Sequence, residues 1–190
     1  MREQMRVEGK DRTELVREFV SPPATICVFG CSWGYELLSL RRAGYRAFGV
    51  ELSSTRREFG RKHLGLPIFP HVRAVPPEYH SVDVVLSSHV LEHIPALDEI
   101  LSDIVQTTRP RLQLHITPSV ESIDRYPHRR TLIGREHPIG VTRRYWERAA
   151  DLHRQSLEFR ESGDEALAIL RPTSPKDGAN RSGAGVTTPA

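Results

Sequence analysis

"ATICVFGCSWGYELLSLRRAGYRAFGVELS", residues 24–53, decides the fold. It opens with a short apolar, β-branched run that ends at Gly30, the pattern of a buried strand closed by a turn. "YELLSLRRAG" follows, and the spacing of Leu37, Leu38 and Leu40 with Gly44 at the end suits a helix and its C-terminal stop. "YRAFGVELS" then reads as a second strand. Strand, tight turn, helix, strand is a βαβ unit, and such units pair their strands in parallel with a right-handed crossover.

The flanking sequence repeats the alternation. "STRREFGRKHLGL" is a second helix opened by a Ser/Thr cap, and "LPIF" is a short third strand. "SVDVVLSS" is a fourth strand, apolar enough for burial on both faces. "ALDEILSDIVQTT" carries Leu97, Ile100, Leu101, Ile104 and Val105 at helical spacing, and "LQLHIT" is a fifth strand closed by Pro118. A helix at about 142–154 leads into "SLEFRES-GD-EALAILRP", two strand-like runs around a Gly-Asp turn that predict a hairpin. Before the first strand, Leu15, Val16, Phe19 and Val20 share one face of a helix over about 12–20, ended by Pro22 and Pro23, which packs as a lid or brace.

The expected architecture is α/β: a doubly wound, Rossmann-like, seven-stranded and mostly parallel sheet with its last strand antiparallel. Residues 1–22 read as a helical extension, 23–171 as the domain, and 172–190, rich in Gly, Ser, Thr and Pro, as a disordered tail.

The 190 residues and 21.6 kDa suit one domain with a full core. The net charge is +3 and the pI about 9.1, yet only Lys10, Lys62 and Lys176 among the 27 basic residues are lysines. Arginine favours bidentate contact with phosphate or carboxylate, but so uniform a bias can also reflect genome composition, which weakens a nucleic-acid reading. "MREQMRVEGKDR" has no apolar core of a signal peptide, and no window approaches the ~18 apolar residues that cross a bilayer. A cytoplasmic protein without membrane contact is expected. Cys27 and Cys31 are too few for a disulfide framework or a four-ligand zinc site and read as free thiols.

The turn "FGCSWGYE", 29–36, places Gly30 and Gly34 where a strand hands over to a helix, so the backbone can approach a ligand closely. Twenty-one residues after Gly30, Glu51 ends the second strand, where a carboxylate can accept hydrogen bonds from both hydroxyls of a ribose. Together they point to a nucleoside-containing cofactor. A dinucleotide fingerprint needs G-x-G-x-x-G, whereas this turn reads Gly30-x-Ser32-x-Gly34, which argues against NAD.

With "VDVVLSSHVLEHIP" and "LQLHITP", this pattern resembles the class I S-adenosylmethionine-dependent methyltransferases, of the bacterial small-molecule type, over residues of about 24–118. The resemblance implies S-adenosylmethionine as cofactor, its methionine end held by Gly30, Cys31, Ser32 and Gly34, its ribose by Glu51, and Leu52 beside the adenine. It further implies His71 or Val72 facing the adenine amino group, and Ser87, Ser88 and His89 beneath the sulfonium and its methyl. Three positions depart from the family: Val28 stands where an acid precedes the turn, His71 where an aspartate is common, and "RPRLQ" replaces a proline-glycine-glycine turn. A relative that binds the cofactor without turnover is therefore one alternative.

"SSHVLEHIP", 87–95, contains the His-x-x-Glu-His string of a zinc peptidase, but that chemistry needs both histidines on one stable helix. A strand precedes them and Pro95 follows, so no metal is expected; the string reads as a strand end delivering His89 to the cofactor crevice, with Glu92 and His93 paired to each other or to backbone. His89 is the first candidate base, since a histidine can take a proton from a hydroxyl nucleophile. His137, in "REHPIGVTRRYW" ahead of a Thr142 helix cap, is the second. Arg125, Arg129, Arg130, Arg135, Arg143 and Arg144 form a cluster suited to an anionic substrate, or only to solvent. The expected reaction is methyl transfer to oxygen, nitrogen or carbon of a small molecule, an anionic or sugar-containing metabolite being one candidate; an RNA acceptor is the other class, with no appended RNA-recognition domain to support it.

Overall fold

The computed structural model describes residues 12–120 and 138–173. The elements are α1 (Arg12–Arg17), β1 (Thr25–Phe29), α2 (Tyr35–Arg42), β2 (Arg46–Val50), α3 (Ser54–Leu64) and β3 (Ile68–Phe69). They continue as β4 (Val84–Ser88), α4 (Leu97–Thr108), β5 (Leu112–Pro118), α5 (Arg143–Leu152), β6 (Gln155–Ser162) and β7 (Glu165–Pro172).

The strands form one sheet in the order β3-β2-β1-β4-β5-β7-β6. β1 to β5 pair in parallel, and β7 runs antiparallel to both of its neighbours, β5 and β6. The strand order reverses at β1, between β2 and β4, and such a switch point opens a crevice beyond the carboxyl ends of the strands. The doubly wound seven-stranded sheet expected from the alternation is the one observed.

Alternate side chains divide the core. Ile26 and Val28 of β1 face α2, with Leu37, Leu40, Leu86, Leu114 and Val16 of α1. Cys27 and Phe29 face the other way, with Phe48, Val85, Leu101, Ile104 and Trp146. Burial of both faces explains the continuous apolar runs of β1 and β4.

Local chemistry sets the element ends. Ser53 caps α3 by accepting the Arg56 N–H, and Thr142 caps α5 by accepting the Tyr145 N–H. α1 stops at Arg17, shorter than its apolar face suggested, although backbone bonds from Phe19 and Val20 to Val16 extend it as a turn. The expected third strand reduces to Ile68–Phe69. The Gly163-Asp164 turn joins β6 to β7 with Ser162 opposite Glu165, as the hairpin reading required.

Candidate functional site at the carboxyl end of the sheet

The turn after β1 winds through positive φ at Gly30 (73°), Ser32 (49°) and Gly34 (91°). Four of the five N–H groups of residues 30–34 are committed inward. Gly30 and Cys31 donate to the Val50 carbonyl at 2.8 and 3.1 Å, Ser32 to Glu51 Oε2 at 2.9 Å, and Gly34 to the Cys31 carbonyl at 2.8 Å. Among the described residues no hydrogen bond reaches the carbonyl oxygens of Gly30 and Ser32. The turn therefore offers acceptors, which suits an ammonium better than an anion. Gly49 makes the close approach possible, since a Cβ there would lie 2.4 Å from Cys31 Sγ. Burial pushes the Cys31 thiol up to about 12, so it stays neutral.

Glu51 is 8% exposed at the end of β2, with Oε2 on the Ser32 N–H and Oε1 on the Ser53 N–H at 2.8 Å. Each oxygen keeps acceptor capacity beyond that one bond, the donor–acceptor match that two vicinal hydroxyls require. Leu52, beside it, is 83% exposed. His71 is exposed and begins a short turn, whereas the Val72 side chain is buried in the core.

β4 delivers the next group. Ser87 is fully buried, Ser88 half-buried, and His89 leaves the strand at φ 53° with its N–H on the Ile116 carbonyl. Residues 91–93 form one 3-10 turn rather than a helix, so His89 and His93 share no helical face. Among the described residues no group of three potential ligands stands ready for a metal ion. The left-handed residue swings the His89 ring across the end of β5, where Nε2 lies 2.9 Å from Glu165 Oε1 at the start of β7. Nδ1 lies 3.4 Å from Glu92 Oε1. Glu165 in turn holds the Arg12 guanidinium at 2.7 and 3.3 Å.

Glu92 leads the influences that raise the His89 pKa; burial opposes it and Glu165 adds to it. Burial raises Glu165, but the hydrogen bonds from Arg12 and His89 outweigh it and bring the carboxyl down to about 2. Sequence spacing pointed to His89 but not to Glu165 or Arg12.

Beneath the site lies a buried polar chain. Gln113 Nε2 donates to Gln155 Oε1 (3.0 Å), so Gln113 Oε1 accepts from His115 Nε2 (3.2 Å), and His115 Nδ1 accepts from the Ser87 hydroxyl (2.8 Å). His115 is stacked on Trp146 with rings 7° from parallel. Burial lowers its pKa to about 3. Below the ordinary value of about 6.5 the unfolded chain takes a proton that the fold refuses, so stability falls as pH drops from there towards 3. Urea denaturation followed by circular dichroism should give a lower midpoint at pH 5 than at pH 7. His115→Gln should remove most of that difference; an unchanged pH dependence would assign it elsewhere.

Several arginines are answered by acids: Arg73 by Asp103, Arg143 by Glu147, Arg148 by Asp98, and Arg160 by Glu158, all within 3.0 Å. Arg125, Arg129, Arg130, Arg135 and His137 lie outside the described residues.

Residues 28–115 match a family model described as a methyltransferase domain. No curated protein matches the chain by sequence. Among solved structures, the methyltransferase domain of a bacterial CtHen1 is similar at 19% identity and TM-score 0.66, covering 85% of this chain and 97% of that one. The PH0226 protein of Pyrococcus horikoshii OT3 shares 14% identity at TM-score 0.68, over 90% of this chain and 91% of its own. Magnesium protoporphyrin IX methyltransferase from Synechocystis PCC 6803, solved with bound SAH, shares 13% at TM-score 0.65, over 84% and 79%. At such identities the likeness establishes a common fold.

Proposed function

We infer that this chain, which carries a class I S-adenosylmethionine-dependent methyltransferase domain over residues 28–115, moves the methyl group of S-adenosylmethionine to a small-molecule acceptor. The observation that carries the reading is the Glu51 carboxylate, fixed by the Ser32 and Ser53 N–H groups beside a turn that presents carbonyl oxygens. Hydroxyls on Glu51 and an ammonium on Gly30 and Ser32 match the two polar ends of the cofactor; Leu52 lies on the adenine side, with His71 or Val72 facing the adenine amino group. When bound, S-adenosylmethionine supplies a methyl group activated on a sulfonium.

The protein's own task is positioning. In-line displacement needs the acceptor lone pair aligned behind the methyl, and a base only where the acceptor must lose a proton. His89, at the carboxyl end of β4 beside Ser87 and Ser88, takes that proton; His137 is the second candidate from the sequence. The two buried free thiols, Cys27 and Cys31, suit a reducing cytoplasm.

A small acceptor is the first reading because Arg73, Arg143 and Arg148, which could otherwise meet phosphates, are each paired with an acid. The likeness to a small RNA methyltransferase, HEN1, at 18% identity and TM-score 0.67 over 94% of this chain and 27% of that one, favours RNA as the second reading. Methyl-labelled S-adenosylmethionine, offered with a metabolite panel and separately with short RNAs at low and moderate salt, distinguishes them. Label in a metabolite supports the first; label only in RNA, falling steeply with salt, replaces it with the second.

A further inference from the structure

We propose that Glu165, held by Arg12, is a positioning residue that fixes the His89 ring in its Nε2–H tautomer and so makes Nδ1 the proton-accepting atom. The inference rests on His89 being the base of the proposed reaction, and its geometry comes from three elements far apart in the chain. His89 leaves β4 in the left-handed region, Glu165 begins β7, and β5 lies between those strands. Strands are spaced about 4.8 Å apart, so a side chain must cross roughly 10 Å of sheet edge to meet another over an intervening strand. His89 and Glu165 do so, with Nε2 and Oε1 2.9 Å apart.

A carboxylate can only accept, so the nitrogen facing Glu165 carries the hydrogen. Of the two carboxylates that face the ring only Glu165, at 2.9 Å, is within hydrogen-bond length, whereas Glu92 stands 3.4 Å from Nδ1, so in the neutral imidazole Nδ1 holds the lone pair. Arg12, 8% exposed and 2.7 Å from the same Glu165 oxygen, keeps that carboxyl ionised and orients it. Without such a cation, a half-buried glutamate would share a proton with the histidine less predictably.

Nδ1 faces the third member of the group. Glu92 is 1% exposed, and neither of its oxygens has a hydrogen-bond donor among the described residues. Its oxygen 3.4 Å from Nδ1 forms an ion pair only when that nitrogen is protonated. The step balances: the acceptor's O–H or N–H proton passes to Nδ1, the acceptor's electron pair forms the bond to the methyl as the carbon–sulfur bond breaks and its pair returns to sulfur, which leaves as a neutral thioether, and Glu92 and Glu165 flank the resulting imidazolium. Solvent then removes the proton. The charged groups facing the ring are Glu92 from the turn after β4, Glu165 from β7 and, behind Glu165, Arg12 from α1. The arrangement gives the leading helix a place in the chemistry that a brace would not have.

The test reads the ring directly and needs no acceptor. Nitrogen-15 spectra of the full chain, with the His89 signals among nine histidines identified by their loss in His89→Gln, report both tautomer and titration. In the native protein above the His89 pKa, Nδ1 should show the shift of an unprotonated nitrogen and Nε2 that of a protonated one. Glu165→Gln should lower the His89 pKa by about one unit and allow both tautomers. Arg12→Gln should raise the pKa, since it removes a positive charge while leaving the glutamate. Glu165→Asp should restore the native tautomer if the acid alone matters. An Nδ1–H tautomer in the native protein, or a His89 titration indifferent to Glu165→Gln, would overturn the proposal. Neither result depends on turnover, so failure of the methyltransferase reading in the acceptor assay remains a separate outcome.

Discussion

Glu51→Ala should weaken S-adenosylhomocysteine binding at least about 100-fold in calorimetric titration. Two ribose hydroxyls donating to one carboxylate are charge-assisted bonds of about 1.5–3 kcal/mol each, and losing about 2.8 kcal/mol is already a factor of 100. The same substitution strips the acceptor from the Ser32 and Ser53 N–H groups, so the turn itself loses its tie to β2. Glu51→Gln separates these effects. It keeps an acceptor oxygen but no charge, and a loss nearer tenfold is expected. Cofactor affinity unchanged in a folded Glu51→Ala protein would remove Glu51 from the site and with it the observation on which the assignment rests.

Gly30→Ala should destabilise the protein by about 2–5 kcal/mol. Holding alanine in the left-handed region costs about 1–2 kcal/mol, and forcing atoms into a filled site about 1–3 kcal/mol. Both conditions hold at Gly30, where φ is 73° and an added Cβ would lie 2.3 Å from Val90 Cγ2 and 2.6 Å from Cγ1. The sum is a large part of the 5–15 kcal/mol that keeps a domain folded. Because Val90 adjoins His89, the clash also displaces the candidate base. A double-mutant cycle with Val90→Ala, read by urea denaturation, should recover the steric part and leave the backbone part. Strict additivity would mean that the two positions do not meet.

Residues 24–118 carried their architecture in local pattern. Glycines at 30, 34 and 44, leucines at helical spacing and two-sided apolar strands are short-range signals, and the sheet follows from the order in which they come. The turn and Glu51 were legible for the same reason, since both lie within one βαβ unit. β5 shows where local reading ends. Leu112, Leu114 and Ile116 alternate with Gln113, His115 and Thr117, a pattern that ordinarily turns its polar side to water. Here both sides are buried, with His115 answered by Ser87 and Gln113 by Gln155, and with Trp146 stacked on His115. Those partners come from other elements, so no window along β5 contains them. Glu165 was hidden by distance as well: it stands 76 residues from His89 and 153 from Arg12. The shortened α1 has a nearer cause, since turn bonds take over from the helix before the proline pair is reached.

β7 comes last among the described strands but lies inside the sheet, between β5 and β6. During synthesis, β1 to β4 have all their partners once β5 has left the ribosome, while the outer edge of β5 still waits for residues 165–172. β6 emerges earlier than β7 yet has no other strand to pair with. Closing this half of the sheet is therefore a late, long-range event, of the kind that slows folding. Until it happens, the nascent chain shows an open strand edge, the surface through which unfinished chains recruit one another.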